Sequence, residues 1–329
     1  MLPQNLPIKL YANCLPVKGK RRSIICDLQR DKITLIPNDL FDILNDYKNQ
    51  TLASIKAAFD LEDGPTIESY FAFLYEQEYI FFTPTPELFP DLDMYWDDPT
   101  MINHAILDWN ASSDYNWQKA IRELDELGCG HLQIRFYQAI EWAFLNTYLQ
   151  YIAQSEASII GIEIILAYTP DCTVEALVQL TKQFPRINSL IIHTAPEERY
   201  FPPVQETLGH IQFVTKNLDS ARHCGQISPR FFSINIRSFT EAQSFNSCLN
   251  RKIAVDVDGW IKNCPSMSTS FGHIDQSSLT EALSKSDFKA LWSITKDQIS
   301  TCKNCEFRYI CTDCRAFREH PNDLLVSGE

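Results

Sequence analysis

The chain has 329 residues, a formal net charge of −13 at pH 7 and eleven cysteines. Its only basic run, residues 18–22, is too small for the phosphate neutralisation on which nucleic-acid binding depends, so that class is excluded. No apolar run reaches membrane-spanning length, and the first residues do not form a signal peptide. We therefore expect a cytoplasmic protein of two or three domains whose thiols are reduced or bind metal.

Residues 1–83 predict a small α+β unit of strands, three amphipathic helices and a closing strand. The expected strands cover 22–28, 32–36 and 79–83, the expected helices begin near Asn38, Thr51 and Thr66, and Asn38 and Thr51 are the expected caps. This order is typical of a winged helix-turn-helix. Because the unit lacks the cations that DNA requires, we expect it to bind a peptide as an added strand at a sheet edge. A packing or dimerisation domain is the alternative.

Residues 84–100 predict a linker. Three prolines in its first half block regular structure, and the acidic residues that follow keep it in contact with water. Its aromatic residues indicate that it lies along a surface.

Residues 101–240 alternate between predicted strands and helices. The expected strands cover 102–109, 132–136, 158–166, 190–193, 211–214 and 231–236. Six strands joined by crossovers indicate a parallel sheet, and we predict a partial α/β barrel.

Several polar residues and thiols have ordinary structural explanations. We expect Cys14 and Cys26 to be packing thiols and His193 to be a satisfied histidine at the end of an apolar strand. Asp256 and Asp258 are expected to stabilise a hairpin turn, and the sequence leaves open which face of its strand Glu163 occupies.

The last quarter of the chain, from residue 241 to 329, contains two groups of cysteines. The first is Cys248 and Cys264, which flank a predicted hairpin turning at Asp258 and Gly259, so that both thiols lie toward one end. The second is a run of four thiols within residues 302–314, spaced C-x2-C-x5-C-x2-C. Thiolates select zinc or iron–sulfur clusters. A zinc site with four thiolates, Cys302, Cys305, Cys311 and Cys314, fits this run and remains an alternative.

The spacing of both groups resembles that of the SPASM domain. Cys248 is followed after ten residues by Gly259 and after four more by Cys264, and the later run begins C-x2-C-x5-C. Two features depart from the family: the last pair has x2 where the family has x3, and no cysteine follows Cys314. SPASM domains hold two auxiliary [4Fe–4S] clusters. The resemblance implies one cluster on Cys248, Cys264 and Cys314 and another on Cys302, Cys305 and Cys311, with Cys224 and His320 as possible additional ligands.

A partial barrel followed by a SPASM domain resembles the layout of radical SAM peptide maturases. Those enzymes carry C-x3-C-x2-C after the first barrel strand, whereas residues 108–117 contain no cysteine here. The Gly-Gly-Glu that follows their second strand is absent from residues 135–141. We therefore expect no residues that bind S-adenosylmethionine and no reductive cleavage of it.

The whole chain resembles the SPASM-domain peptide maturases of grasp-with-spasm systems, which make ribosomal peptides (RiPP biosynthesis). The resemblance is carried by residues 11–19, 22–28, 263–267 and 302–316. It implies an accessory maturation protein that binds the leader of a precursor peptide and acts with an ATP-grasp ligase. A cluster-dependent peptide-modifying enzyme and a zinc-stapled binding protein are the alternatives. We expect deletion of residues 1–83 to abolish precursor binding and to leave the clusters intact.

Overall fold

The computed structural model describes residues 2–155, 158–203, 209–224, 228–312 and 314–317. Within these residues the strands form sheets of two, three and eight strands, and the eight-stranded sheet is mostly parallel and flanked by helices. The prediction of a mixed α/β protein is confirmed. No helix in the described ranges is both long and apolar enough to cross a lipid bilayer.

The N-terminal unit contains the two smaller sheets and three helices. Its elements are β1 (Ile8–Leu10), β2 (Cys14–Lys18), β3 (Ser23–Asp27), β4 (Lys32–Ile36), α1 (Asn38–Asp46), α2 (Leu52–Ala57), α3 (Gly64–Glu76) and β5 (Ile80–Phe82).

The three-stranded sheet has the order β2-β3-β4 and is antiparallel. Sequence reasoning missed β2 because Pro16 lies within it. Proline is tolerated there because β2 is an edge strand, where a missing amide donor breaks no ladder. The closing strand β5 pairs with β1 and forms a separate sheet.

The helix caps are partly as predicted. The Thr51 side chain accepts a hydrogen bond from Ser54 N at 3.1 Å, which confirms it as the N-cap of α2. The prediction for Asn38 is wrong, because Pro37 is the N-cap of α1 and Asn38 lies inside the helix. The Asn38 side chain instead accepts a hydrogen bond from Ser23 Oγ at 2.7 Å, which ties α1 to β3.

The rest of the chain forms the large sheet and its helices. The elements are β6 (His104–Trp109), α4 (Trp117–Glu126), β7 (His131–Phe136), α5 (Trp142–Gln154), β8 (Gly161–Ala167), α6 (Val174–Gln183), β9 (Ile187–His193), β10 (Arg199–Phe201), β11 (His210–Phe213), α7 (Ile236–Ser244), β12 (Lys252–Val255), β13 (Ile261–Lys262) and α8 (Leu279–Ser284).

The large sheet has the order β10-β11-β9-β8-β7-β6-β12-β13. The strands from β11 to β12 are parallel, and β10 and β13 add one antiparallel strand at each edge. The predicted strand at 231–236 is wrong. That segment begins at the end of the turn Pro229–Phe231 and contains Asn235, the N-cap of α7. The Asn235 side chain accepts a hydrogen bond from Ser238 N. The strand β12 from the predicted hairpin takes the place beside β6.

The two faces of the large sheet differ in polarity. Ala105, Leu107, Leu132 and Ile134 alternate along β6 and β7 into the main core, which the helices cover. Residues between them on the same strands lie on the opposite face, where Gln133 donates a hydrogen bond to Glu163. Glu163 therefore occupies the face away from the helices, which answers the question that the sequence left open.

The segment 84–100 runs along the surface of the protein, as its aromatic residues indicate. Asp91 forms an ion pair with Lys9 at 2.8 Å, and the buried Trp96 ring packs edge-on against Phe245 with centroids 5.5 Å apart. Farther on, Asp98 pairs with an arginine of α7 at 2.6 Å. These contacts fix the segment to both flanking regions.

The N-terminal sheet packs directly on the run of cysteines near the C-terminus. One face of the sheet, including Val17, Ile24 and Cys26, shares a core with Phe239 of α7 and with Ile310. Polar contacts surround this core: Lys20 N donates to Asn304 O at 2.8 Å, Arg308 Nη1 donates to Lys18 O at 2.6 Å, and Arg22 pairs with Glu306 at 2.8 Å. We call this contact the sheet–cysteine interface.

Gly19 lies where the sheet–cysteine interface is tightest. A Cβ there would lie 2.6 Å from Arg22 O and 2.7 Å from Glu306 Oε2, so an alanine would force the backbone apart. We expect Gly19→Ala to lower the free energy of unfolding by about 1–3 kcal/mol, as overpacking does. Gly64→Ala is the matched control, because its Cβ would meet only Lys56 Cε at 3.5 Å. Equal stability of the two variants in denaturant melts would contradict this interface.

Candidate metal centre

The predicted hairpin forms, and it brings Cys248 and Cys264 together. Val255 and Ala254 of β12 pair with Ile261 and Lys262 of β13. Gly259 has a φ of +81°, which suits glycine, and Asp256 Oδ1 accepts hydrogen bonds from two amides of the turn. The role of Asp256 in the hairpin is thereby confirmed.

The backbone around the two thiols is held by asparagine side chains. Asn246 Oδ1 accepts hydrogen bonds from the amides of Cys248 and Leu249, each at 3.1 Å. Asn263 Nδ2 donates to Leu249 O at 3.0 Å and to Lys252 O at 2.7 Å. The thiols of Cys248 and Cys264 lie in a small apolar cluster with Leu249 and Leu291. Both cysteines are thus placed by rigid local structure.

Cys224 and Cys314 join this pair, and we call the four residues Cys224, Cys248, Cys264 and Cys314 the first thiol site. Ser266, two residues after Cys264, donates to Ala221 O at 2.8 Å, which holds the Cys224 turn beside the Cys264 loop. Burial, and then the neighbouring Cys248 thiolate, raises the pKa of Cys264 to about 12. Burial and the same thiolate also raise the pKa of Cys314, and the Cys224 charge adds to both effects. Burial therefore favours the neutral thiol at Cys264 and Cys314, and a cation placed among the sulfurs would oppose this effect.

A lysine that sequence reasoning missed lies beside the first thiol site. The half-buried Lys252 directs Nζ to Cys248 Sγ at 3.8 Å. Burial disfavours its charge, but the neighbouring sulfurs of Cys248, Cys264 and Cys224 favour it, and the pKa of Lys252 is raised. A lysine four residues after a cysteine that the spacing predicts to be a ligand, and at the first position of a strand, was the available signal. The donor set and this cation fit an anionic thiolate-bound group, as an iron–sulfur cluster is.

The second thiol site consists of Cys302, Cys305 and Cys311 in consecutive turns. Cys302 opens a short 3-10 turn that Cys305 N closes on Cys302 O at 2.9 Å, and Cys311 N bonds to Phe307 O at 3.0 Å. All three cysteines are half-buried, and the sheet–cysteine interface holds the chain between them. His320 lies outside the described residues.

The thiols of the chain are not cross-linked to one another. All eleven cysteines lie in described ranges and none forms a disulfide. Across those ranges, no three His, Cys, Asp or Glu residues are grouped closely enough to hold a single metal ion. Cys14 and Cys26 are buried, and burial raises the pKa of each to about 12, which confirms them as packing thiols.

A buried polar group that the sequence did not reveal lies at the ends of β6 and β7. Arg135 Nε and Nη2 donate to the two Asp108 oxygens at 2.6 and 2.8 Å, and Tyr137 Oη donates to Asp108 Oδ2 at 2.7 Å. Arg135 and Tyr137 also interact electrostatically with Cys224, so this group borders the first thiol site. Charged residues inside two apolar strands were the signal available for it.

Residues 110–116, within the cysteine-free stretch 108–117, form a compact turn. Ser113 Oγ donates to Val257 O at 2.6 Å, and Tyr115 Oη donates to Asp108 O at 2.9 Å.

At the end of β9, His193 is buried and bonded to Thr194 Oγ1 and Phe136 O, which confirms it as a satisfied histidine.

Comparison with protein families identifies the class of the C-terminal region. Residues 247–306 match the family model of the SPASM iron–sulfur cluster-binding domain. The match includes Cys248, Cys264, Cys302 and Cys305 and ends before Cys311. No curated protein matches the chain.

Solved structures similar to the chain include structures of SuiB and of anSMEcpe. Streptococcus suis SuiB bound to S-adenosylmethionine has 9% identity and a TM-score of 0.38, covering 98% of this chain and 99% of its own. Native anSMEcpe with bound AdoMet and a Cp18Cys peptide has 11% identity and a TM-score of 0.40, covering 69% of this chain and 93% of its own. SuiB bound to the precursor peptide SuiA has 9% identity and a TM-score of 0.28, covering 94% of this chain and 96% of its own.

Proposed function

We propose that the chain is an accessory peptide-maturation protein that binds the leader of a ribosomally made precursor, carries auxiliary [4Fe–4S] clusters and acts with an ATP-grasp ligase in the cytoplasm. The observation that carries this proposal is the first thiol site, where Cys248 and Cys264 share one cluster, the Cys224 turn is held beside them and Lys252 Nζ lies 3.8 Å from Cys248 Sγ. The match of residues 247–306 to an iron–sulfur domain supports the same chemistry. Cys224, Cys248, Cys264 and Cys314 would hold one cluster, and Cys302, Cys305 and Cys311 a second.

The clusters would supply structural cross-linking and one-electron redox chemistry when bound. The chain's own residues do the remaining work: asparagine side chains fix the Cys248 and Cys264 backbone, and Lys252 balances thiolate charge. No residue is proposed to bind S-adenosylmethionine, because residues 110–116 are cysteine-free and folded into their own turn.

Leader binding is proposed for the outer edge of β4, in a unit that we interpret as winged-helix-like. In the described part of the chain no strand pairs with this edge. Leu35 of β4 is 52% exposed, and strand alternation places it on the same face as Ile33, opposite the face on which Thr34 contacts Tyr79. An open edge beside apolar side chains suits an added peptide strand, whose backbone bonds give affinity and whose alternate side chains enter pockets. Lys32 donates a hydrogen bond to Gln77, and Arg22 forms an ion pair with Glu306. Because these cations already have partners, we expect apolar contacts to contribute more to peptide binding than charge does.

The test of leader binding is a titration with synthetic peptides from any small open reading frames that adjoin the gene. We expect Leu35→Arg to weaken peptide binding about tenfold, equivalent to about 1.4 kcal/mol, because a charge replaces an apolar contact. Leu61→Arg is the matched control, since Leu61 is 97% exposed in the same unit and away from β4. Calorimetric titration of both variants gives the comparison. Equal affinities for the two would place the leader elsewhere on the molecule.

A second function, a cluster-dependent peptide-modifying enzyme, is favoured by one observation. The buried Asp108–Arg135–Tyr137 group borders Cys224, so polar side chains at the strand ends could position a peptide near a cluster. Burial, followed by the Asp108 charge, raises the pKa of Tyr137, which keeps its hydroxyl protonated. Modification of the precursor by the chain and a reductant, without the ligase, would favour this function over the accessory role.

A further inference from the structure

The ammonium of Lys252 is aimed at sulfur. Its Nζ lies 3.8 Å from Cys248 Sγ, and in the described residues it has no carboxylate at ion-pair distance. Glu241 interacts with Lys252 electrostatically but directs its carboxylate to Asn250 Nδ2 at 2.8 Å. A half-buried cation without an acidic partner is costly unless an anionic group faces it. Cys248 sulfur is the group that Nζ contacts, and a cluster bound through that sulfur would supply the negative charge.

The position of Lys252 is fixed by the sheet. It opens β12, pairs in register with His104 of β6, and its carbonyl accepts a hydrogen bond from Asn263. Cys248 is fixed by Asn246 through its own amide. Both residues are therefore anchored through their backbones, and from this anchored position Lys252 Nζ reaches to 3.8 Å from Cys248 Sγ.

We propose that Lys252 sets the reduction potential of the cluster on the first thiol site by donating a charge-assisted hydrogen bond to the Cys248 sulfur. This inference rests on the proposed function, because it requires a cluster there. Reduction adds one electron to the site and breaks no bond, so the reduced state carries one more negative charge. A fixed cation close to sulfur stabilises that state more than the oxidised one and raises the potential.

The experiment is a potentiometric titration of the anaerobically purified full chain with dithionite, followed by electron paramagnetic resonance. The signal of the first site is the one lost in Cys264→Ser. We expect Lys252→Met, which keeps length and removes charge, to lower the reduced-to-oxidised ratio at a given potential about tenfold, a midpoint shift of about 59 mV to lower potential for one electron. Lys252→Arg keeps the charge and is expected to leave the midpoint close to that of the unaltered chain.

Two controls make the result decisive. Lys56→Met removes a lysine that pairs with Glu68 in the N-terminal unit. This lysine is far along the chain from the first thiol site, so the variant reports the effect of net charge alone. Lys252→Gln is a second neutral variant, so that the result does not depend on one protein that fails to fold. Unshifted midpoints in both neutral variants, or a shift equal to that of Lys56→Met, would overturn the role of Lys252. An unaltered chain without acid-labile sulfide would overturn the cluster, and this inference with it.

Discussion

Replacing Cys264 with serine is expected to remove the iron and acid-labile sulfide of the first thiol site, roughly half of the total if both sites are filled. Cys264 is buried and shares its surroundings with Cys224, Cys248 and Lys252. A serine hydroxyl keeps the volume but is a poor ligand for iron, which iron–sulfur clusters bind through thiolate. The measurement is iron and sulfide content after anaerobic purification, together with the visible absorbance of the cluster.

Matched cysteine variants separate the two thiol sites. Cys172→Ser is the control, because Cys172 is buried in the main core and not part of either site. Cys305→Ser is expected to remove the other half of the iron, and the double variant with Cys264→Ser to remove nearly all of it. Stoichiometric zinc with negligible sulfide in the unaltered chain would establish the zinc alternative instead.

Cys224→Ser tests the fourth ligand of the first thiol site. If Cys224 completes the site, its serine variant loses as much iron as Cys264→Ser does. The Cys224 turn is held by the bond from Ser266 to Ala221, so the substitution leaves the backbone in place. Retention of the full iron content would mean that the site keeps an open iron or takes its fourth ligand elsewhere.

Deletion of residues 1–83 is the second change with a large expected effect. It removes the open edge of β4, and we expect precursor binding to be abolished. The sequence alone predicts that the clusters survive, since the cysteines that it assigns to them lie far beyond the deleted segment. The structure changes this expectation: the deletion uncovers Ile310, which is 2% exposed, and Phe239, also 2% exposed.

The consequence for the metal content is different at the two sites. The second thiol site loses the polar contacts from Lys18, Lys20 and Arg22 that hold its turns, so we expect it to lose iron. The first thiol site is supported by β12 and the asparagine contacts, so we expect it to keep iron. Peptide titration and iron counting on the truncated chain give both results. Unchanged peptide affinity would move leader recognition to the rest of the chain, and full iron content would show that the second site stands without the N-terminal sheet.

The sequence determined the features that depend on neighbours along the chain. The period of apolar residues placed the parallel strands and the N-terminal helices, and an Asp-Gly turn between alternating segments placed the β12–β13 hairpin. Cysteine spacing identified the iron–sulfur region, which the family comparison matches over residues 247–306. These signals are local, because the backbone geometry of a helix, strand or turn determines which residues at short spacing lie on the same side.

The tertiary structure alone decided which distant residues meet. The strand β12 joins the large sheet beside β6, although the sequence offered residues 231–236 for a strand and the helix cap at Asn235 prevents it. The gathering of Cys224 and Cys314 around Cys248, the ammonium of Lys252, and the packing of the N-terminal sheet on Ile310 all join segments far apart in the chain. Such contacts depend on how whole faces bury apolar surface together, which no single segment encodes.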